Sequence, residues 1–139
     1  MNNNIKANHI LTNLVTPQMI ERKDGVIIII SSVGGTIGSN MIGTYNISKA
    51  AVVMLTKVLA KELGEHNIQI NTLAPGLIKT DFSRALWENE DTYNKIVKAI
   101  PQGKMGTPDD ISGMALYLAS EASDFVTGSI FTVDGGITT

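Results

Sequence analysis

The chain has 139 residues and a formal net charge of −2, and 43% of its residues are hydrophobic against 17% charged. This balance excludes a disordered chain, and the scattered basic residues exclude the clustered positive charge of a nucleic-acid-binding protein. Cysteine is absent and the two histidines are far apart in sequence, so neither a disulfide nor a metal site is predicted. The longest apolar run, residues 26–30, is too short to span a bilayer, and we expect a cytoplasmic protein without membrane contact.

The first half of the chain predicts a helix, a strand and a second helix. Apolar residues recur at helical spacing over residues 5–20, where Pro17 is expected to kink or restart the last turn. Residues 26–30 form an unbroken β-branched run, which is typical of a parallel strand covered on both faces. A loop with four glycines follows over 31–43, and a long helix is expected over 44–64 with its terminal glycine as the C-cap.

The second half repeats this alternation of strand and helix. Residues 67–73 alternate in polarity and predict a second strand, and residues 130–133 predict a third. Short helices are expected near 82–88 and 92–100, and Thr107 followed by proline predicts a further capped helix. This order indicates parallel strands joined by crossovers, hence an α/β layered sheet whose ligands bind beyond the carboxyl ends of the strands.

Tyr45 and Lys49 stand four residues apart at the start of the long predicted helix, so their side chains share one face. An ammonium group beside a phenol favours loss of the phenolic proton, which suits a tyrosine to general acid–base work on an alcohol oxygen. Taken alone, the pair also fits an exposed helix start with a solvated lysine. Ser32, at the end of the predicted strand, favours the catalytic interpretation, because its hydroxyl can bind the same substrate oxygen. A serine that only terminates the strand is the alternative.

Five segments in chain order resemble consecutive signatures of the classical short-chain dehydrogenase/reductase family: GVIIIISS at 25–32, YNISKA at 45–50, NTLAPGLIKT at 71–80, TG at 127–128 and VDGG at 133–136. The stretch 73–90 is most similar to the carbonyl and retinal reductase branch of that family. The resemblance implies a partial Rossmann-like, doubly wound parallel sheet. The chain would hold about the last three strands and their helices, as one incomplete domain over residues 1–139.

The resemblance also implies an oxidoreductase that reduces carbonyls or oxidises alcohols by hydride transfer, with NADP or NAD as cofactor. In that enzyme Ser32 would polarise the carbonyl and Tyr45 would exchange the proton. Lys49 would assist the tyrosine and bind the nicotinamide ribose. Asn4 would complete the catalytic set as the counterpart of the family's asparagine in Asn-x-Lys-Gly, although Ala7 replaces the glycine. A frayed end or a helix cap is the alternative for Asn4.

Two further groups of residues follow from the resemblance. The nicotinamide side of the cofactor would be held by Tyr45, Lys49, Pro75, Gly76, Ile78 and Thr80. A small hydrophobic carbonyl or alcohol substrate would be bordered by Met41, Phe82, Leu86 and Trp87. The alternative is a mobile loop and a small helix that merely cover the core.

The glycine-rich turn with which this family holds the cofactor pyrophosphate is not found in the sequence. The glycines of residues 34–38 follow the Ser32 strand, and no helix opens directly after them, so they do not form that turn. We therefore expect that the adenine-side site is absent and that the chain is truncated or half of a two-part protein. Activity of the chain alone is expected to be impaired, with residues 26–31 left as an open, apolar sheet edge.

Two other functions remain open. One is a non-catalytic interaction fragment that docks onto a full-length relative or forms a homo-oligomer. The family resemblance supports it, because the helices before and after Ser32 commonly form a subunit interface in that family. The other is a hydrolase with Ser32 as nucleophile, for which a nearby histidine and a Gly-x-Ser-x-Gly elbow are lacking.

Overall fold

The centre of the structure, a computed structural model that describes residues 1–40 and 42–139, is a parallel sheet. Its strands are β1 (Gly25–Ile30), β2 (Ile68–Pro75) and β3 (Ile130–Val133). They lie side by side in the order β1–β2–β3, and the register pairs Gly25 with Ile68 at the start of the first ladder. The predicted fold, a partial Rossmann-like sheet of about three parallel strands, is confirmed for the described residues.

Helices connect the strands and provide the crossovers that a parallel sheet requires. The α-helices are α1 (Ala7–Arg22), α2 (Gly43–Leu63), α3 (Glu90–Val97) and α4 (Pro108–Leu118). A π-helical turn at Asn2–Lys6 precedes α1, and 3₁₀ turns lie at Val33–Gly35, Gly64–His66, Asp81–Leu86 and Glu121–Ser123. In the described part of the chain, no helix has the length and apolar character needed to cross a membrane. The same residues contain no cluster of three metal-ligating side chains.

The two long helices differ in detail from their predictions. The helix α1 does not restart at Pro17 but continues to Arg22. Gly64 is the C-cap of α2, as predicted, but it keeps a right-handed backbone (φ −62°), and the left-handed residue is Asn67 (φ 57°), which follows one 3₁₀ turn. Asparagine tolerates this conformation, and the Asn67 side chain donates a hydrogen bond to Lys23 O at 3.0 Å. The sequence argument favours glycine for a left-handed cap because glycine has the greatest backbone freedom. That argument does not include the hydrogen bond between Asn67 and Lys23, which depends on how distant segments pack.

The predicted cap at Thr107 is confirmed. Its backbone N–H and its hydroxyl both hydrogen-bond one carboxylate oxygen of Asp110, at 2.7 and 2.9 Å, and Pro108 is the first helical residue of α4. The backbone hydrogen bond from Thr107, followed by the side-chain bond and by the nearby Lys104 ammonium, lowers the pKa of Asp110. The cap therefore holds best while the carboxylate is ionised.

The strand β1 departs from the prediction that both of its faces are covered. Ile29 is 2% exposed and belongs to the core beneath α1 and α2, but Val26 and Ile30 are 38% and 49% exposed. The strand lies at an edge of the described sheet, whereas β2 lies between two neighbours and is buried along most of its length. The unbroken run of isoleucines shows that both faces of the strand are apolar. It does not show which elements, if any, cover those faces.

A buried pair of hydroxyl groups joins α2 to the middle of the sheet and allows a test of stability. Thr56 and Thr72 are both fully buried, and their Oγ1 atoms lie 2.7 Å apart. The Thr56 hydroxyl also reaches Val52 O at 3.1 Å. We expect Thr56→Val to lower the free energy of unfolding by about 1–3 kcal/mol, because it leaves the Thr72 hydroxyl buried without its partner.

The loss of stability in Thr72→Val is expected to be smaller than in Thr56→Val. In Thr72→Val the Thr56 hydroxyl keeps its hydrogen bond to Val52 O. The double variant should cost less than the sum of the two single changes, because it leaves no orphaned hydroxyl at this pair. Urea unfolding of the four proteins measures these differences. Equal and additive losses would contradict the assignment of a coupled pair.

Candidate active site

The two serines after β1 differ in their environment: Ser31 is buried, and Ser32 is more accessible. Ser31 is buried, its backbone N–H donates to Leu73 O at 2.8 Å, and its hydroxyl donates to Lys49 O at 2.9 Å. Ser32 is half-buried, and its Oγ accepts the N–H of Gly34 at 3.1 Å to cap the following 3₁₀ turn. Of the two serines, Ser32 is therefore the more accessible, and it follows the carboxyl end of β1.

Tyr45 and Lys49 lie on the first turns of α2 and share one face, as their spacing predicted. The Lys49 Nζ is 5.7 Å from the centre of the Tyr45 ring and donates a hydrogen bond to Ile30 O at 3.0 Å. Burial lowers the pKa of Lys49. The ammonium is thus placed between the carboxyl end of β1 and the tyrosine ring, on the side of the sheet where parallel α/β proteins bind ligands.

Two glycines allow the loop after Ser32 to approach this helix closely. A Cβ on Gly35 would lie 2.7 Å from Ser31 Oγ and 2.8 Å from Lys49 O, and a Cβ on Gly34 would lie 2.7 Å from Asn46 Oδ1. These distances leave no room for a side chain. The sequence predicted that these glycines do not bind phosphate, but their packing role was missed, because spacing gives no signal for it.

Asn4 and Tyr45 come together across a cavity of about 610 Å³, although they are 41 residues apart in sequence. Asn4 belongs to the π-helical turn before α1, and its Nδ2 donates to Ser48 Oγ at 2.8 Å. The cavity is lined by Met1, Asn3, Asn4, Tyr45 and Phe82. The hydrogen bond from Asn4 to Ser48 does not agree with the alternative interpretation of Asn4 as part of a frayed end.

The residues proposed for the cofactor follow the carboxyl end of β2. Pro75 is the last residue of that strand, and the N–H of Gly76 donates to Val133 O at 2.9 Å. A Cβ on Gly76 would lie 2.7 Å from the Cα of Asp134, so the loops after β2 and β3 pack against each other without room for a side chain. Ile78 forms an isolated bridge with Gly106. This packing fixes the loop at the carboxyl end of β2.

The segment expected to border the substrate is folded by local hydrogen bonds. Thr80 caps the 3₁₀ turn Asp81–Leu86, and the indole N–H of Trp87 donates back to Thr80 O at 3.1 Å. Phe82 is 90% exposed and lines the cavity with Tyr45, whereas the described lining does not include Leu86 or Trp87. Met41, the remaining predicted substrate residue, lies outside the described residues.

A parallel α/β sheet with a serine, a tyrosine and a lysine gathered at its carboxyl edge is the architecture of a short-chain dehydrogenase/reductase. The comparisons agree with this class.

A family model described as enoyl-(acyl carrier protein) reductase matches residues 1–138. Dehydrogenase/reductase SDR family member 4 from Oryctolagus cuniculus is 41% identical over 133 residues, which are 96% of this chain and 51% of that protein. The 5-keto-D-gluconate 5-reductase of Escherichia coli (strain K12) is 42% identical over 134 residues, 96% of this chain and 53% of that protein.

Solved structures show the same likeness. A gluconate 5-dehydrogenase from Burkholderia cenocepacia J2315, in complex with NADP and tartrate, superposes with a TM-score of 0.88 at 40% identity. That match covers 91% of this chain and 50% of the other. A 4-hydroxyisoleucine dehydrogenase complexed with NADH has a TM-score of 0.94 at 35% identity, over 97% of this chain and 56% of the other.

The chain belongs to the short-chain dehydrogenase/reductase family, which confirms the resemblance inferred from its motifs. It spans about half the length of the curated relatives that it matches. Relatives with different names match at nearly equal identity, so similarity alone does not separate the carbonyl and retinal reductase branch from the others.

Proposed function

We propose that residues 1–139 form the catalytic half of an NAD(P)-dependent oxidoreductase that interconverts a carbonyl group and an alcohol. The observation that carries this proposal is the placement of the Lys49 ammonium between Ile30 O and the Tyr45 ring at the carboxyl edge of the sheet. Ser32 follows the same strand two residues after its end, and Tyr45 lines the cavity. We therefore propose Tyr45 as the proton donor, Lys49 as the cation and Ser32 as the second hydroxyl of one site.

Each of these groups has a distinct chemical role in the proposal. In the reducing direction, the Tyr45 hydroxyl gives its proton to the substrate oxygen, and in the oxidising direction it takes that proton back. Ser32 donates a hydrogen bond to the same oxygen and stabilises its developing negative charge. The Lys49 ammonium lies over the Tyr45 ring and stabilises the negative charge that develops during proton transfer. The hydride is supplied or accepted by the nicotinamide when the cofactor is bound.

The described residues fit a nicotinamide cofactor at this edge. An ammonium group has three N–H donors, so Lys49 can hold Ile30 O and ribose hydroxyls at the same time. The loop with Pro75, Gly76, Ile78 and Thr80 lies next along the edge, and its packing leaves backbone rather than side chains at Gly76. Relatives solved with NADP or with NADH support either dinucleotide, and we propose NADP or NAD without preference.

The cavity beside Tyr45 is proposed as the substrate site. Its described lining combines the amides of Asn3 and Asn4 with the apolar side chains of Met1 and Phe82. This mixture suits a small, largely apolar carbonyl or alcohol whose oxygen faces Tyr45. Leu86, Trp87 and Met41 are proposed as its outer border.

The residues proposed above contact only the nicotinamide side of the cofactor, so full activity is proposed for a subunit of the relatives' length. We therefore propose that the 139-residue chain alone has little activity. The experiments below use an extended subunit, defined as residues 1–139 joined to the first half of one of the relatives above. Conversion of nicotinamide cofactor, followed by its absorbance in the presence of carbonyl substrates, is the common assay.

Ser32→Ala in the extended subunit is expected to lower kcat by about a hundredfold, because one hydrogen bond to the developing alkoxide is lost. The KM of the cofactor should change little. Ser120→Ala is the matched control, since Ser120 lies just after α4 and its hydroxyl donates to Tyr117 O, outside the proposed site. Near-normal turnover of Ser32→Ala would count against the oxidoreductase, and a fall in the control would point to misfolding.

A second function, association with a second copy or with a related subunit, is favoured by the exposed apolar side chains of the two long helices. They are Ile10, Leu11, Leu14 and Val15 on α1, and Ile47, Met54 and Val58 on α2. Contiguous exposed apolar surface is typical of protein–protein contacts. An extended subunit that binds cofactor but turns over no substrate would favour this function over catalysis.

A further inference from the structure

Ser48 is a buried residue that hydrogen-bonds two residues of the lining of the same cavity, one through its side chain and one through its backbone. It is 2% exposed and stands on α2 between Tyr45 and Lys49. Its Oγ accepts a hydrogen bond from Asn4 Nδ2 at 2.8 Å and donates one to Tyr45 O at 2.7 Å. Asn4 and Tyr45 come from different elements, and both line the cavity of about 610 Å³. One buried hydroxyl therefore joins the two walls.

The direction of these two bonds fixes the orientation of Asn4. A hydroxyl has a single proton, and the Ser48 proton is committed to Tyr45 O, so Ser48 can only accept from the asparagine. The NH₂ group of Asn4 must then face Ser48, and its carbonyl oxygen faces elsewhere. The Asn8 side chain donates to Asn4 O and holds the backbone of the same residue. The π-helical turn is thus held at both its backbone and its side chain.

A second serine, Ser112, makes the same hydrogen bond to the carbonyl three residues earlier in its helix and serves for comparison with Ser48. Ser112 lies on α4 and donates to Asp109 O at 2.9 Å, but it is exposed, and within residues 1–40 and 42–139 its hydroxyl has no partner from another element. Bonds of this kind are common on helices and local in effect. What sets Ser48 apart is the contact to Asn4 across 44 residues of sequence.

We propose that Ser48 is a positioning residue, which sets the orientation of the Asn4 amide relative to the Tyr45 side chain. This inference rests on the proposed function, because it assigns Asn4 and Tyr45 to one reaction site. Ser48 does not line the described cavity, and it acts through its two neighbours. Loss of its hydroxyl frees the Asn4 amide and removes the hydrogen bond that holds the π-helical turn against the first turns of α2.

The test uses the extended subunit with Asn4→Ala, Ser48→Ala and the double variant. We expect Ser48→Ala to lower kcat about tenfold or more, with little change in the KM of the cofactor, since small misplacements of catalytic groups have effects of this size. Asn4→Ala should cost much less in the Ser48→Ala background than in the wild type, because the asparagine is already released there. Ser112→Ala, the matched control, should leave kcat unchanged. Unchanged turnover in Ser48→Ala, or strictly multiplicative effects in the double variant, would overturn the proposal.

A second measurement does not depend on turnover. In the wild-type extended subunit, NMR should show slowed exchange of the Asn4 side-chain amide protons, and Ser48→Ala should abolish that slowing. Fast exchange in the wild type would also overturn the proposal. If Tyr45→Phe keeps normal turnover, the reaction proposed above fails, whereas this amide measurement still decides whether Ser48 holds Asn4.

Discussion

Replacing Tyr45 with phenylalanine should abolish carbonyl reduction by the extended subunit, with kcat lowered by about a thousandfold or more. The change removes only the phenolic oxygen, which is the proposed source of the proton. The phenylalanine ring still fills the space beside Gly34, where a Cβ on that glycine would lie 3.5 Å from Tyr45 Cε1. The ring also still lies beneath the Lys49 ammonium, 5.7 Å away in the wild type. Cofactor binding should therefore stay largely intact.

The matched control for this change is Tyr117→Phe. Tyr117 is a partly buried tyrosine on α4 that packs edge-to-face against Phe131, with ring centroids 6.3 Å apart, and it lies outside the proposed site. Steady-state kinetics of the two variants and calorimetric titration with NADP and NAD give the required comparison. Near-normal turnover of Tyr45→Phe, with Tyr117→Phe also active, would eliminate the proposed proton transfer and leave only the fold assignment standing.

Replacing Lys49 with methionine should damage both turnover and cofactor affinity. Methionine keeps an unbranched side chain against the strand but removes the ammonium that faces Ile30 O and the Tyr45 ring. We expect kcat to fall by about a hundredfold, because the negative charge that develops during proton transfer loses its stabilising ammonium. Cofactor affinity should fall by about tenfold or more, because hydrogen bonds from a charged donor are lost. This double effect separates Lys49 from Tyr45 and Ser32, whose changes should act mainly on rate.

The pH dependence supplies an independent check on the same residue. Burial lowers the pKa of Lys49, so its ammonium loses its proton at a lower pH than an ordinary lysine as the pH rises. Wild-type cofactor affinity should therefore decline on the alkaline side, and Lys49→Met should show a weaker affinity without this decline. Lys57→Met, an exposed lysine on the same helix, is the control. A wild-type alkaline decline that survives in Lys49→Met would have to come from another group.

The order of elements and most of the candidate site could be predicted from the amino-acid sequence. Strand and helix periodicity follow from local backbone geometry, so residues 130–133 and the cap at Thr107 could be predicted to the residue. The four-residue spacing of Tyr45 and Lys49 placed both side chains on one helix face for the same reason. The motifs in order predicted the family, because a family signature is a property of sequence alone.

Other features depend on contacts between distant segments, and they became visible only when the elements were packed together. The packing of Gly35 against Lys49 O and the left-handed turn at Asn67, whose side chain reaches Lys23 O, depend on partners in other elements. The link from Asn4 through Ser48 to Tyr45 is of the same kind, since a serine inside a helix looks identical in sequence whether or not an asparagine reaches it. The periodicity of the sequence predicts on which face of its own helix or strand a side chain lies. Only the packing of elements decides what it meets there, because a hydrogen bond depends on separations of about 3 Å that no local pattern encodes.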